Sequence, residues 1–237
     1  MDSEPEMDSK GLCLVLTEPG PKMSEEEYHD WYDNEHVPNR LSIPTFFNAA
    51  RYKASDLKTP RWLTLYDLSE PAVADGPEYQ DVHANGSDRD KLMLSKIQYL
   101  TRRAYSFIPE SSKIHPDVPK TAFPGKFCLV VSMQTTPEGE DEFNRWYGEE
   151  HIPMLSKVPG WLRSRRYKLF SVKERGQLVN GEECKPLQYL AIHDFSQDGY
   201  METSEFKAAT STTWRAEIVK SIVDRELRLF ELYNFKE

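Results

Sequence analysis

The sequence predicts an α+β fold: two tandem βαββαβ units of ferredoxin-like order, packed sheet to sheet as an intramolecular α/β barrel. Three observations predict it. Slid by 115 residues, the stretch from Leu12 to Lys53 lies over Phe127 to Lys168 without a gap, and a third of the positions are identical. WLTLYDL from Trp62 then meets YLAIHDF from Tyr189, after a longer insertion in the second copy. Finally, the hydropathy pattern runs strand, helix, strand, strand, helix, strand in each copy, the ferredoxin-like order.

Each element has a local reason. The runs LCLVLT and FCLVVSM are apolar, rich in Val and Leu and too short for a helix, so they read as first strands. SEEEY from Ser24 and GEDEF from Gly139 are acidic helix starts, where carboxylates suit the positive end of the helix dipole. Tyr28, Trp31, Tyr32 and Glu35 then fall at i, i+3, i+4 and i+7, and Phe143, Trp146, Tyr147 and Glu150 repeat the stripe. Pro38 and Pro153 should end or kink these helices, because proline lacks the N–H and disfavours helical geometry before it. Second strands are expected from Phe47 to about Ala54 and from Trp161 to about Lys173, and third strands at Trp62–Leu68 and Tyr189–Phe195. More polar second helices follow at Glu78–Tyr99, broken at Asn85-Gly86, and at Thr203–Val223. Last strands are expected near Arg103–Ile108 and Leu227–Tyr233. Such a unit covers one sheet face with its helices and leaves the other needing a cover, which the second unit supplies. The organisation is then a disordered tail at 1–10, repeat 1 at 11–108, a proline-bounded linker at 109–125, and repeat 2 at 126–237. Asn180-Gly181 marks a hairpin inserted before the third strand of repeat 2.

Composition narrows the function classes. With 38% hydrophobic and 29% charged residues, the 237-residue chain reads as a soluble globular protein, and no apolar run is long enough to span a membrane. Thirty basic against thirty-nine acidic residues give a net charge of −9, which opposes binding to nucleic acid. The acidic N-terminus is unlike a signal or transit peptide, and Cys13, Cys128 and Cys184 have no CxxC spacing, so a reducing cytoplasm is expected. There is no GxGxxG, Walker loop, GxSxG, HExxH or CxxCH, and neither a bound metal nor a cofactor is expected.

WYxxEH[VI]P is the sharpest chemical signal. His36 and His151 sit at the end of the aromatic helices, with the intrinsic pKa to move protons near neutrality. Burial would keep the ring neutral, while a helix C-terminus favours the protonated form. Such a histidine can equally cap carbonyls and pack. Glu35 and Glu150 lie nearer the stripe centre, and a direct bond to the adjacent histidine is not expected. Tyr66 and His193 occupy matching third-strand positions, followed by Asp67 and Asp194 on the opposite face. Arg51 and Arg166 can bind an anionic oxygen, though an ion pair is the simpler reading. His29, Asp33 and His36, at i, i+4 and i+7, read as a solvated helix face rather than a metal site, since repeat 2 has Asn144 and Gly148.

At WYGEEHIPMLSKVPGW and WYDNEHVPNRLSIPTF the chain resembles the EthD-like branch of the dimeric α/β-barrel superfamily. The resemblance implies a cofactor-independent enzyme using acid–base chemistry on a small aromatic or polyketide-type molecule: dehydration, cyclisation or decarboxylation, in secondary metabolism. It maps the family histidine onto His36 and His151. Family members usually dimerise; with both halves in one chain, a pseudo-dimeric monomer or a homodimer is expected. His151 is the expected base, with His36 and His193 as further catalytic candidates. Trp146, Tyr147, Glu150, Tyr167, Trp31, Tyr32 and Tyr66 are the expected substrate-binding residues. Repeat 2 is favoured because Pro159-Gly160 and Leu155 keep the pattern, whereas repeat 1 has Pro44-Thr45 and Arg40-Leu41. The alternatives are a non-catalytic binder of small ligands, a haem-dependent barrel enzyme, or a cofactor-free monooxygenase.

Overall fold

The computed structural model describes residues 9–179 and 183–237, and the expected hairpin at Asn180-Gly181 and most of the expected tail lie outside them. Two compact units are present, the first built from described residues of 9–106, 170–179, 183–185 and 233–237, the second from 107–169 and 186–232.

In the first unit, β1 (Gly11–Glu18), β2 (Ala49–Ala54), β3 (Trp62–Leu68) and β4 (Tyr99–Phe107) form an antiparallel sheet in the order β4-β1-β3-β2. Helices α1 (Glu25–Trp31), α2 (Val37–Leu41), α3 (Pro77–Ala84) and α4 (Asp88–Lys96) complete it. Ser24 caps α1, its hydroxyl accepting from the Glu27 amide at 3.1 Å while the Glu27 carboxylate accepts from the Ser24 amide at 3.2 Å. The break at Asn85-Gly86 separates α3 from α4 as the sequence suggests. Register places Cys13 opposite Tyr66 and Ala104, and Val15 opposite Thr64 and Arg102. Cys13, Val15, Tyr66 and Ala104 pack in one apolar cluster with Tyr28, Trp31 and Tyr32 of α1 and the turn after it.

The second unit repeats the order with β6 (Phe127–Thr135), α5 (Glu140–Trp146), α6 (Ile152–Leu155), β7 (Trp161–Gly176), β8 (Tyr189–Phe195), α7 (Ser204–Ala209), α8 (Thr213–Val219) and β9 (Ile222–Lys236). Its strands run β9-β6-β8-β7-β5, where β5 is Lys113–Ile114. The segment expected as a linker is therefore not a free spacer. β5 pairs with Arg163 and Ser164 of β7, and the Ile108 amide donates to the Arg166 carbonyl at 2.9 Å. Those bonds satisfy backbone groups of β7 from Arg163 to Arg166.

The prolines do not end the first helices. Between α1 and α2, Tyr32–His36 widens into a π turn in which the Val37 amide donates to the Tyr32 carbonyl, five residues back. Tyr147–His151 does the same before α6. A wider turn needs one residue more to come round, so the buried stripe is Tyr28, Trp31, Tyr32 and His36, not Glu35. In the second unit Phe143, Trp146, Tyr147 and His151 are the buried set. The extra residue rotates each histidine inward and each glutamate outward.

Candidate active site

The π turn delivers His36 to a cavity of about 340 Å³ in the first unit. Its floor is sheet: Cys13, Val15, Tyr66, Leu100 and Arg102. Over it stand His36 and Arg40 from the first helical run and Leu94 from α4, with Phe46 beside them. Tyr79, Gln80 and His83 of α3 and Lys173, Glu174 and Arg175 of the β7 end complete the lining.

His36 is 7% exposed, and its Nδ1 lies 2.9 Å from Asp90 Oδ1 on α4. Trp31 Nε1 donates to the same oxygen at 2.9 Å. Asp90 is held below the usual carboxylate range: burial pushes its pKa up, but the bonds from His36 and Trp31 and the charge of Arg40 outweigh it. An ionised Asp90 can only accept, so Nδ1 of His36 carries the proton and Nε2 is left with its lone pair. Nε2 makes no hydrogen bond among the described residues. Burial pulls the His36 pKa down to about 4, against the upward pull of Asp90, with Arg40 adding to the depression. The ring is therefore neutral at physiological pH and basic at Nε2.

Tyr66 is buried, its hydroxyl meets that of Tyr32, and burial raises its pKa, so it remains a donor. Cys13, its cross-strand neighbour, is pushed up to about 12 by burial and stays a protonated apolar wall. Trp31 and Tyr32 support the site from behind rather than line it. Trp31 holds Asp90, while Tyr32 accepts from the Thr64 hydroxyl at 3.2 Å. Glu35 faces outward and accepts from the Ser87 hydroxyl. The helix face read from spacing as His29, Asp33 and His36 is split by the π turn. Asp33 takes the Arg51 guanidinium at 2.5 Å, with His29 3.3 Å from it, while His36 turns away.

The second unit arranges its candidates differently. His151 Nδ1 faces the Ala209 carbonyl at 3.2 Å, and its ring stacks on Trp146 at 4.3 Å. The His193 Nδ1 is 2.7 Å from the Ser164 hydroxyl, and the two imidazoles lie 6.4 Å apart. Burial pulls both pKa values down to about 3. Glu150 accepts from Trp146 Nε1 at 2.9 Å and from the Thr212 hydroxyl at 2.6 Å. Tyr147 packs its ring 3.9 Å from the Arg166 guanidinium, and Tyr167 lies against Phe107. Arg166 has no carboxylate within ion-pair reach among the described residues; Ser111 and Asn144 accept from it instead. A cavity of about 340 Å³ in this unit is lined by Trp146, Met133, Ile218 and Arg215 among others, but by neither histidine. Of these two cavities, the one lined by a catalytic candidate lies in the first unit, whereas the sequence favours repeat 2. The Thr45 argument for a degenerate repeat 1 also lapses. Gly160 takes φ +80°, but Thr45 is not among the positive-φ residues.

Sequence reading missed Asp90, Arg40 and the β7 end. Nothing in a polar helix 54 residues downstream marks Asp90 as the partner of His36. Arg40 did carry a signal, a charge where repeat 2 has Leu155, but it reads as a lapse from the pattern. No group of three or more His, Cys, Asp or Glu side chains is gathered as a metal site among the described residues. Nor is any described helix long and apolar enough to cross a membrane.

No family model matches the chain. Core atranone cluster (CAC) protein 1 from Stachybotrys chlorohalonatus is 26% identical over 208 residues, 83% of this chain and 85% of that protein. Among solved structures, an anthrone oxidase-like protein aligns with a TM-score of 0.57 at 10% identity, over 97% of this chain and 94% of the other. A candidate monooxygenase from Fusobacterium nucleatum gives 0.54 at 8% identity, over 97% and 95%. A candidate chlorite dismutase gives 0.56 at 13% identity, over 95% and 96%. Three differently named activities share this architecture, so the reaction has to be argued from the site. The fold is that of the dimeric α/β-barrel proteins.

Proposed function

We propose that the protein is a small-molecule enzyme of lyase or cyclase type in which His36 removes a proton from an aromatic or polyketide-type substrate. The observation that carries this reading is the His36–Asp90 pair at the wall of a cavity with apolar and charged sides. Asp90 fixes the tautomer, leaves Nε2 as the base, and stabilises the imidazolium as it forms. Tyr66, a cavity-lining hydroxyl beside that of Tyr32, supplies a donor for the oxygen on which negative charge develops. Dehydration, cyclisation and decarboxylation all draw on such proton transfers. The volume, about 340 Å³, falls in the range of about 300–1,000 Å³ usual for small-molecule sites. The relative from the atranone cluster supports a place in secondary metabolism, and the anthrone oxidase-like neighbour supports a polycyclic phenolic substrate.

The test uses anthrone, whose methylene protons are acidified by the ring ketone. Exchange of those protons for deuterium is followed by NMR with wild-type protein, His36→Ala and His151→Ala. The wild type should accelerate exchange, His36→Ala should lose about 10²–10⁴-fold, and His151→Ala should retain it. A folded His36→Ala protein that exchanges as fast as wild type removes the reading. A Soret band in the purified protein would turn the reading toward the haem-dependent alternative.

A further inference from the structure

We propose that the cavity takes a substrate bearing a carboxylate, and that Arg40 is the residue that binds it; the inference rests on reading this cavity as the reaction site. Arg40 is 2% exposed, and it lines the cavity. Its Nε and Nη1 are buried with no hydrogen-bond partner. Among the described residues no acidic side chain lies within ion-pair distance of it; the ionised Asp90 feels its charge only at longer range and gives its N–H groups no acceptor. The Tyr79 ring lies 4.9 Å from its guanidinium carbon. A buried charge without a partner is expensive, and proteins resolve it with a counter-ion or hydrogen bonds.

Neighbouring arginines show what resolution looks like in this unit. Arg102 leans on the same Tyr79 ring at 4.2 Å, but Asp75 neutralises it at 2.6 Å. Arg51 has Asp33, and Arg175 donates to the Leu94 carbonyl at 2.5 Å. Arg40 alone of these four lacks its acceptor, and the open side available to it is the cavity. The lining is cationic on balance: with Arg102 matched by Asp75, it still holds Arg40, Lys173 and Arg175 against Glu174, in a chain whose net charge is −9. One guanidinium with unbonded N–H groups, beside the apolar side chains of Phe46, Leu94 and Leu100, matches one negative charge on an apolar body. That combination is an organic monoanion, and a carboxylate suits the guanidinium geometry. Repeat 2 has Leu155 at the matching position and should not share the preference.

The test is equilibrium binding, independent of turnover, of three probes with one ring system: 2-naphthoate, methyl 2-naphthoate and 2-naphthol. Wild-type protein at neutral pH should bind the carboxylate at least about tenfold more tightly than the ester or the phenol. Arg40→Leu, which installs the residue of repeat 2, should abolish that difference and leave ester binding unchanged. Arg40→Gln is read in the same way if the leucine variant fails to fold. Equal binding of the three probes, no carboxylate binding, or a preference that survives in a folded Arg40 variant would each overturn the proposal. His36→Ala should keep the carboxylate preference, so a failure of the proposed reaction and a failure of this inference give different results.

Discussion

Replacing Asp90 by asparagine interrogates the site with the smallest change in shape. One oxygen of Asp90 accepts from both His36 Nδ1 and Trp31 Nε1, each at 2.9 Å, while the other is buried without a partner. An asparagine carbonyl in the first position can keep both bonds, so the loss is chiefly that of the negative charge. A hydrogen bond to a charged acceptor exceeds a neutral one by about 1 kcal/mol, which sets the floor. A full charge pair at similar separation near a protein surface is worth about 4 kcal/mol, which sets the ceiling. Proton abstraction creates the imidazolium beside this carboxylate, so the rate should fall between about fivefold and about 10³-fold. The proton-exchange assay measures that directly, and NMR of the His36 ring gives the second readout. Because Asp90 raises the His36 pKa against a larger lowering by burial, its neutralisation should move that pKa further below about 4. A folded Asp90→Asn protein with unchanged exchange, or with a His36 pKa that rises, would refute the assignment of Asp90 as the positioning residue.

Other expectations follow from the same geometry. Tyr66→Phe removes a cavity hydroxyl that meets Tyr32, so it should lower kcat by about 10-fold or more at a stability cost of about 1 kcal/mol, as steady-state kinetics and a melting curve will show. Exchange by the wild type should fall as pH drops through about 4, where His36 takes up a proton and ceases to be a base. Stability should also fall with acid. His36, His151 and His193 have folded pKa values of about 4, 3 and 3, below the ordinary 6.5, so the unfolded chain binds protons first. The lost stability begins below about pH 6.5 and is of order 3 kcal/mol for His36 alone by pH 4. Denaturant titrations at pH 7 and pH 4 measure it, and a flat profile would contradict buried neutral rings.

How much of this was legible in sequence depends on the range of the interaction. Strands at Trp62–Leu68 and Tyr189–Phe195 were readable to the residue, because short apolar runs that match between the two copies are visible in the sequence itself. The break at Asn85-Gly86 was equally plain. The helix after Tyr28 was misread in one detail with large consequences. Spacing arithmetic assumes 3.6 residues per turn throughout, and a π turn before a proline violates it in both units. The proline still carried information, since a missing N–H is tolerated where the ladder has already shifted. Arg40 and Asp90 illustrate the other limit. Each acquires its meaning only from the cavity that β1, β3 and α4 assemble around it, and no local pattern announces that a charge will be buried.

The two histidine motifs show why a signature of this kind does not locate chemistry by itself. Both rings are buried at the end of an aromatic stripe, and both commit Nδ1 to an acceptor. In repeat 2 that acceptor is a backbone carbonyl, which orients the ring but carries no full charge to stabilise an imidazolium. In repeat 1 it is a carboxylate, and the next helical turn offers Arg40 to the same space where repeat 2 has Leu155. The departures that made repeat 1 look less faithful to the pattern therefore coincide with the groups that a proton-transfer site needs. Placing an aspartate at Ala209 and an arginine at Leu155 would not by itself move the reaction, because the described cavity of the second unit does not reach His151. Base, counter-charge and open space have to coincide, and they do so at His36.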